Sequence, residues 1–336
     1  MIKTLNHNLE DLRPSSGKIV ITTHHKPDGD AMGSSLALYN YFKAAGIDSL
    51  VITPTDYADF LWWMPSNDQV LVYEGNELKA DQIIADADIV YCLDFNALSR
   101  INHMGHVVKE SKARCILIDH HRDPEEFASE QLTDVEASST CELIYDYLTE
   151  FLDHSFITND VAQCIYTGII TDTGSFRYDS TSSKTIRVAA ALLDKGAVPS
   201  VIYDKIFDQN RLERLRLLGF FLHNKIELIE DGKVAIATLS SEELSNFSVK
   251  TGDTEGFVNY GLSIEGVQMS ALIIDRSVLV KMSFRSKGSF PCNEFAAEFF
   301  NGGGHRNAAG GGSKLSLEDT VEKVKSSLAT YRKHLK

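Results

Sequence analysis

The run His24-His25-Lys26-Pro27-Asp28-Gly29-Asp30-Ala31 brings the imidazole of His24 and the carboxylates of Asp28 and Asp30 into one tight turn, directly after the apolar residues Ile19-Val20-Ile21. Two acids so close repel each other, and burying them together is unfavourable unless a multivalent cation neutralises them. The chemistry to expect is a divalent metal site, and metals held by acid clusters point to hydrolysis of a phosphate ester. Groups of the same type recur at the ends of other apolar runs: Asp94 follows Asp88–Leu93, and Asp119-His120-His121 closes Arg114–Ile118. Asp172 ends a helical pattern over Asn159–Thr171, on the face of Ile165 and Gly168. Asp28, Asp30, Asp94 and Asp172 supply four negative charges, which two divalent cations would balance, while His24 and His120 add neutral nitrogens. Mixed oxygen and imidazole donors suit Mn²⁺ better than Mg²⁺ or Ca²⁺, with Zn²⁺, Fe²⁺ and Co²⁺ as competitors. Two such ions ~3.5–4 Å apart share a bridging hydroxide and clamp the attacking and leaving oxygens of an in-line displacement.

The elements that must position these groups alternate. Lys18–Thr23, Ser49–Thr53, Gln69–Tyr73, Asp88–Leu93 and Arg114–Ile118 read as strands, with helices over Ala31–Ala45, Glu77–Ala87 and Ile101–Lys112 between them. Such alternation implies crossover connections and a mostly parallel sheet covered on both faces. In an open sheet of this kind active residues gather at the carboxyl ends of the strands. Ser138–Leu152, Asn159–Thr171, Thr185–Leu193 and Arg211–Glu227 read as further helices, the last as a bridge between domains or an ordinary core helix. The texture then changes to α+β, with strands over Lys233–Leu239, Val267–Ile274 and Val278–Arg285 and helices over Phe257–Ser263, Asn293–Phe300 and Leu317–His334. The expected division is a metal-binding domain over 1–190, a helical linker over 191–228 and a smaller α+β domain over 229–336.

The glycine-rich segment Gly302-Gly303-Gly304-His305 lacks the Gly-Lys-Ser/Thr of a nucleotide-binding P-loop, and Asn307 stands where a dinucleotide fingerprint needs its third glycine. Residues without Cβ let backbone N–H groups approach an anion closely. Arg285 and His305 are the natural cations for a phosphate there, with Lys287 and Arg306 adding charge; the competing reading is a structural turn with a helix cap. Arg100 and Arg177 are better read as surface ion-pair partners, His103 and His106 as solvated, and Trp62-Trp63 as packing residues.

With 336 residues, 43% of them hydrophobic and 24% charged, the chain suits two domains of ordinary size. It contains no apolar run of the ~18 residues needed to span a bilayer, and the polar start, Met1–Pro14, does not read as a secretory signal. A cytoplasmic location with all five cysteines reduced is the expectation. A formal charge of −14 argues against a protein that coats long duplexes, so any nucleic-acid substrate should be small and gripped by a few local cations.

In this order, H-x-x-P-D-x-D-A from His24 to Ala31, the lone Asp94, Asp119-His120-His121 and Thr171-Asp172-Thr173-Gly174 resemble the motifs of the DHH phosphoesterases. Arg285-Ser286-Lys287-Gly288 and the stretch Gly302–Gly310 resemble the DHH-associated C-terminal domain. The resemblance implies one metal held by His24, Asp28 and a bridging Asp94, and a second held by Asp30, Asp94, His120 and Asp172. It implies that His121 faces the scissile phosphate as electrophile or proton donor, and that Asp119 orients a neighbouring ligand. Arg285, Gly302, Gly303, Gly304, His305 and Arg306 would hold substrate. The implied activity is hydrolysis of short oligonucleotides to mononucleotides and of 3′-phosphoadenosine 5′-phosphate to AMP. Cyclic or linear di-adenosine monophosphate, pyrophosphate or polyphosphate, and mere nucleotide binding are the alternatives, and a homodimer is expected by analogy.

Overall fold

The structure, a computed structural model, describes residues 2–5, 7–12 and 18–335; parts of the polar start Met1–Pro14 lie outside them. The chain divides into two compact units, Met1–Gln209 and Asn210–Lys336.

The first unit runs β1 (Ile2–Lys3), β2 (Ile19–Thr23), α1 (Gly29–Ala44), β3 (Ser49–Thr53), β4 (Leu71–Val72), α2 (Glu77–Ala85), β5 (Ile89–Leu93), α3 (Met104–Glu110), β6 (Arg114–Asp119), β7 (Glu130–Thr133), α4 (Thr140–Glu150), α5 (Asn159–Asp172), α6 (Ser183–Asp194) and α7 (Pro199–Tyr203). Its sheet has the order β1-β7-β6-β5-β2-β3-β4, parallel throughout except for the edge pair β1–β7. The chain builds outward from β2 through β3 to β4, then returns to the other side of β2 with β5 and β6. That reversal opens a crevice at the carboxyl ends of β2 and β5, where such sheets place their ligands. The strands are short Val, Ile and Leu runs buried on both faces, as the helical layers require.

α1 is the most enclosed helix. Asp28 caps its start by accepting from the amides of Asp30 and Ala31. It packs on α5 at close range because Gly33 and Gly168 carry no side chain: a Cβ at Gly33 would lie 2.7 Å from the Cys164 carbonyl oxygen, and one at Gly168 2.8 Å from Asp30 Oδ1. This close approach brings the start of α1 beside the end of α5.

The second unit contains α8 (Leu212–Asn224), β8 (Ile226–Ile229), β9 (Val234–Leu239), α9 (Ser241–Asn246), α10 (Phe257–Leu262), β10 (Met269–Asp275), β11 (Val280–Ser286), α11 (Cys292–Phe300), β12 (Gly303–His305), β13 (Ala308–Ser313) and α12 (Leu317–Tyr331). Its mixed sheet has the order β12-β13-β11-β10-β9-β8. One face carries a core built from Phe284, Phe290, Phe295, Phe300 and residues of α12; the other packs β9 and β10 against Leu217, Phe221 and Phe257.

The structure departs from the expected elements in places. The strand expected over Gln69–Tyr73 shrinks to β4, after a 3-10 turn over Asn67–Gln69. The pattern over Ile101–Lys112 begins as a 3-10 turn, Leu98–Ile101, before α3. Residues 191–228 contain the end of α6 and α7 in the first unit, then α8 and the start of β8 in the second. The glycine-rich segment is a β-hairpin, β12–β13, rather than a loop. Among the described residues, no helix is long and apolar enough to cross a membrane.

Candidate metal centre

β2 delivers His24, β5 delivers Asp94 and β6 delivers Asp119 with His120 and His121, all to the crevice end of the sheet. The first turn of α1 adds Asp28 and Asp30, and the last residue of α5 adds Asp172. Ligand atoms of His24, Asp28 and Asp94 lie within 4.8 Å of one another, and so do those of Asp30, His120 and Asp172. Asp94 stands between the two groups. Its Oδ2 is 3.5 Å from His24 Nε2, and its Oδ1 is 3.6 Å from His120 Nε2. His120 Nε2 is also 3.6 Å from Asp172 Oδ2 and 3.9 Å from Asp30 Oδ2.

The imidazoles face this cluster in the orientation that coordination needs. His24 Nδ1 donates to the carbonyl of His25 at 2.9 Å, which turns Nε2 toward the carboxylates. His120 Nδ1 lies 3.4 Å from the Ala137 carbonyl, with Nε2 again inward.

The electrostatics of the cluster follow from burying like charges together. Burial pushes the Asp94 carboxyl well above the usual carboxylate range, and the charges of Asp30 and Asp28 push it further. Asp30 is raised chiefly by burial as well. His120 loses basicity to burial, but Asp172, Asp94 and Asp30 more than offset this and bring it to about 9. Buried carboxylates whose negative charge is disfavoured, gathered around imidazole nitrogens, are a donor set that a cation would stabilise. The donor set therefore fits divalent metals.

His121 is held differently. Its Nδ1 donates to Asp119 Oδ1 at 2.7 Å. Burial works against the charge on Asp119, yet the hydrogen bond and charge of His121 hold its carboxyl below the usual range. Burial lowers His121 itself, outweighing Asp119.

The start of α4 is a part of the centre that sequence reasoning missed. Thr140 N and Cys141 N donate to the two oxygens of Asp30 at 2.7 and 2.9 Å, and Thr140 Oγ1 donates to Asp94 Oδ1 at 2.9 Å. The signal available was Ser139-Thr140-Cys141-Glu142, a helix-start pattern whose first amides have no partner within the helix and attract carboxylates.

In the second unit, Arg285 on β11 and His305 on β12 both pair with Ala308 of β13, so their side chains share one face of the sheet. Gly303 and Gly310, exposed and paired with each other, continue that face as bare backbone. The hairpin also explains its glycines without a ligand: a Cβ at Gly302 would stand 2.0 Å from the Gly310 carbonyl oxygen, and Gly304 has φ +136°. Arg306 lies in the turn, its carbonyl accepting from Cys292 N at 2.6 Å.

The remaining candidates sort simply. Arg177 Nε donates to the Gly174 carbonyl instead of forming the expected ion pair. Arg100 also makes no ion pair among the described residues; its carbonyl accepts from His25 N at 2.8 Å. His103 and His106 are exposed. Trp63 packs against the core, whereas Trp62 is 60% exposed and does not.

A parallel sheet with carboxylates and imidazoles at its strand ends, followed by a second α+β unit, defines a phosphoester hydrolase of the DHH class. Residues 18–169 match the DHH family, N-terminal domain, and residues 231–331 match the DHHA1 domain. The chain belongs to this family. It is 31% identical over 316 residues to the bifunctional oligoribonuclease and PAP phosphatase NrnA of Thermus thermophilus, covering 94% of this chain and 90% of that one. To the NrnA of Bacillus subtilis it is 26% identical over 319 residues, covering 94% and 95%. Among solved structures, an exopolyphosphatase-related protein from Bacteroides fragilis superposes with a TM-score of 0.91 at 42% identity, over 96% of this chain and 94% of that one.

Proposed function

We propose that the protein hydrolyses short oligonucleotides to mononucleotides and 3′-phosphoadenosine 5′-phosphate to AMP, using two divalent ions, Mn²⁺ by preference. The observation that carries the reading is the pair of carboxylate–imidazole groups that meet at Asp94; the activities named for the two NrnA relatives supply the substrate class. His24, Asp28 and Asp94 would hold one ion, and Asp30, Asp94, His120 and Asp172 the other. Bound there, such ions would supply charge for the phosphate and a water of lowered pKa as nucleophile at neutral pH. The mixed oxygen and nitrogen donors favour Mn²⁺ over Mg²⁺.

The chain's own residues do the rest. His121, fixed at Nδ1 by Asp119, presents Nε2 to the scissile phosphate, as an electrophile or, once protonated from solvent, as the donor of a proton to the leaving oxygen. Asp119 keeps that ring oriented. Arg285 and His305 neutralise a substrate phosphate on one face of the second sheet, Arg306 adds charge at the turn, and Gly302, Gly303 and Gly304 leave backbone bare for the substrate to approach. With so few cations the site suits short pieces and not long duplexes. A cytoplasmic location goes with the unpaired cysteines. The division into 1–190, 191–228 and 229–336, with the middle segment as linker, belongs to the same reading, as does a homodimer, which light scattering of the intact chain tests.

The deciding experiment is a substrate panel with Mn²⁺. The expected result is fastest turnover of RNA dimers to pentamers and of 3′-phosphoadenosine 5′-phosphate. Preference for cyclic di-adenosine monophosphate or for pyrophosphate would replace this reading with a sister activity of the fold. Tight nucleotide binding without turnover of any phosphoester would replace it with a binding role.

A further inference from the structure

Thr140 is fully buried beside the carboxylate that the two ligand groups share. The rotation of a carboxylate about its last torsion is soft and roughly two-fold, so something must decide which oxygen faces which way. For Asp94 that matters more than for any neighbour, because Oδ2 faces His24 while Oδ1 faces His120. The backbone of Asp94 is held in the left-handed region, at φ +63°, with its N–H on the Ile118 carbonyl, so the side chain leaves a fixed point. The hydroxyl of Thr140 meets it there, donating to Oδ1 at 2.9 Å.

Thr140 is itself immobilised. Ser139 caps α4 by accepting from Glu142 N at 3.1 Å. Glu142, 1% exposed, accepts from Ser138 Oγ at 2.6 Å and from Thr185 Oγ1 at 2.8 Å, and its other oxygen lies 3.2 Å from Lys184 Nζ. The helix start is thus tied to α6, and a β-branched residue in a helix has few χ1 choices.

We propose that Thr140 is a positioning residue: its hydroxyl sets the rotation of Asp94, so that one oxygen serves the His24–Asp28 ion and the other the His120–Asp172 ion. The proposal rests on the metal-centre reading above. Val at 140 keeps the shape and removes the donor, Ala removes both, and Ser keeps the donor alone.

The test is Mn²⁺ titration of metal-depleted protein, with free ion and the spin-coupled pair read by electron paramagnetic resonance and folding checked by circular dichroism. The wild type is expected to take up two ions and show the coupled signal. Thr140→Val and Thr140→Ala are expected to bind at least one ion ~10–100-fold more weakly and to lose the coupled signal, the usual scale for loss of a group that orients a metal ligand. Thr140→Ser is expected to stay within about threefold of wild type, well below that range. A folded Val or Ala variant with wild-type affinity and signal overturns the proposal, and so does a Ser variant as weak as Val. Fewer than two ions on the wild type overturns the metal-centre reading and this proposal with it.

Discussion

His121 Nδ1 lies 2.7 Å from Asp119 Oδ1, and the second oxygen of Asp119 is buried with no hydrogen-bond partner in the structure. The pair is therefore directional: the carboxylate spends one oxygen on holding the ring at Nδ1, which leaves the reaction to Nε2. A general acid of this kind contributes ~10²–10⁴-fold to a rate. His121→Ala should lower kcat by that factor and leave Mn²⁺ binding nearly intact. Asp119→Asn should lower kcat less, by about 10–100-fold, because the ring remains but its tautomer is no longer imposed. Steady-state kinetics beside a metal titration separates the two effects.

Asp94 is the residue on which both ions depend. Asp94→Ala should abolish metal-dependent release of mononucleotide from a dinucleotide and remove binding of at least one ion. Unchanged turnover by that variant would sink the functional reading.

The metal-free protein should lose stability as pH rises. His120 carries a proton in the fold up to about 9, against an ordinary value of 6.5. Its contribution is fully present below 6.5 and disappears as pH climbs through 9. Asp94 and Asp30 act in the same direction: their raised values mean that the fold holds protons which the unfolded chain releases above the ordinary 3.8. Melting of chelator-treated protein should fall on the order of 5 °C between pH 6.5 and 9. Added Mn²⁺ should stabilise more at the upper end, where ions no longer compete with protons.

Glycine substitutions should divide by what a Cβ meets. At Gly168 it would lie 2.2 Å from Cys141 Sγ and 2.8 Å from Asp30 Oδ1, so Gly168→Ala should cost ~1–3 kcal/mol and weaken Mn²⁺ binding. At Gly219, in α8, nothing lies within 4 Å. Gly219→Ala should stabilise by about 0.5–1 kcal/mol with activity unchanged. Equal effects at both positions, read by thermal melting, would contradict this account.

Arg285 and His305 should act on binding more than on chemistry. Arg285→Ala removes one charge-assisted contact, worth ~1.5–3 kcal/mol, so KM should rise about 10–100-fold with kcat little changed. A drop confined to kcat would place Arg285 elsewhere in the reaction.

The candidate centre was legible where apolar runs end in charge. Ile19–Thr23, Ile89–Leu93 and Arg114–Asp119 are strands, and although a single charged strand end can be a cap or a turn, His24, Asp94 and Asp119 recur together at the ends of one sheet. Glu130–Thr133 and Ile2–Lys3 were not legible as strands, because a short polar edge pair has no apolar alternation to betray it. The β12–β13 hairpin was hidden by its glycines, which local preference places in loops and which only the neighbouring strand and Phe300 explain. The grip of Thr140 on Asp30 spans 110 residues of chain, a contact that no local pattern encodes.

Asp28 does two jobs with a single oxygen: Oδ1 accepts from the amides that open α1 and also faces His24 Nε2 at 4.0 Å. The length of the His24–Asp30 turn is therefore set twice over, once by helix geometry and once by the reach between ligands. An insertion or deletion there would break both at once, and a designer who transplants the centre must carry the helix along with it.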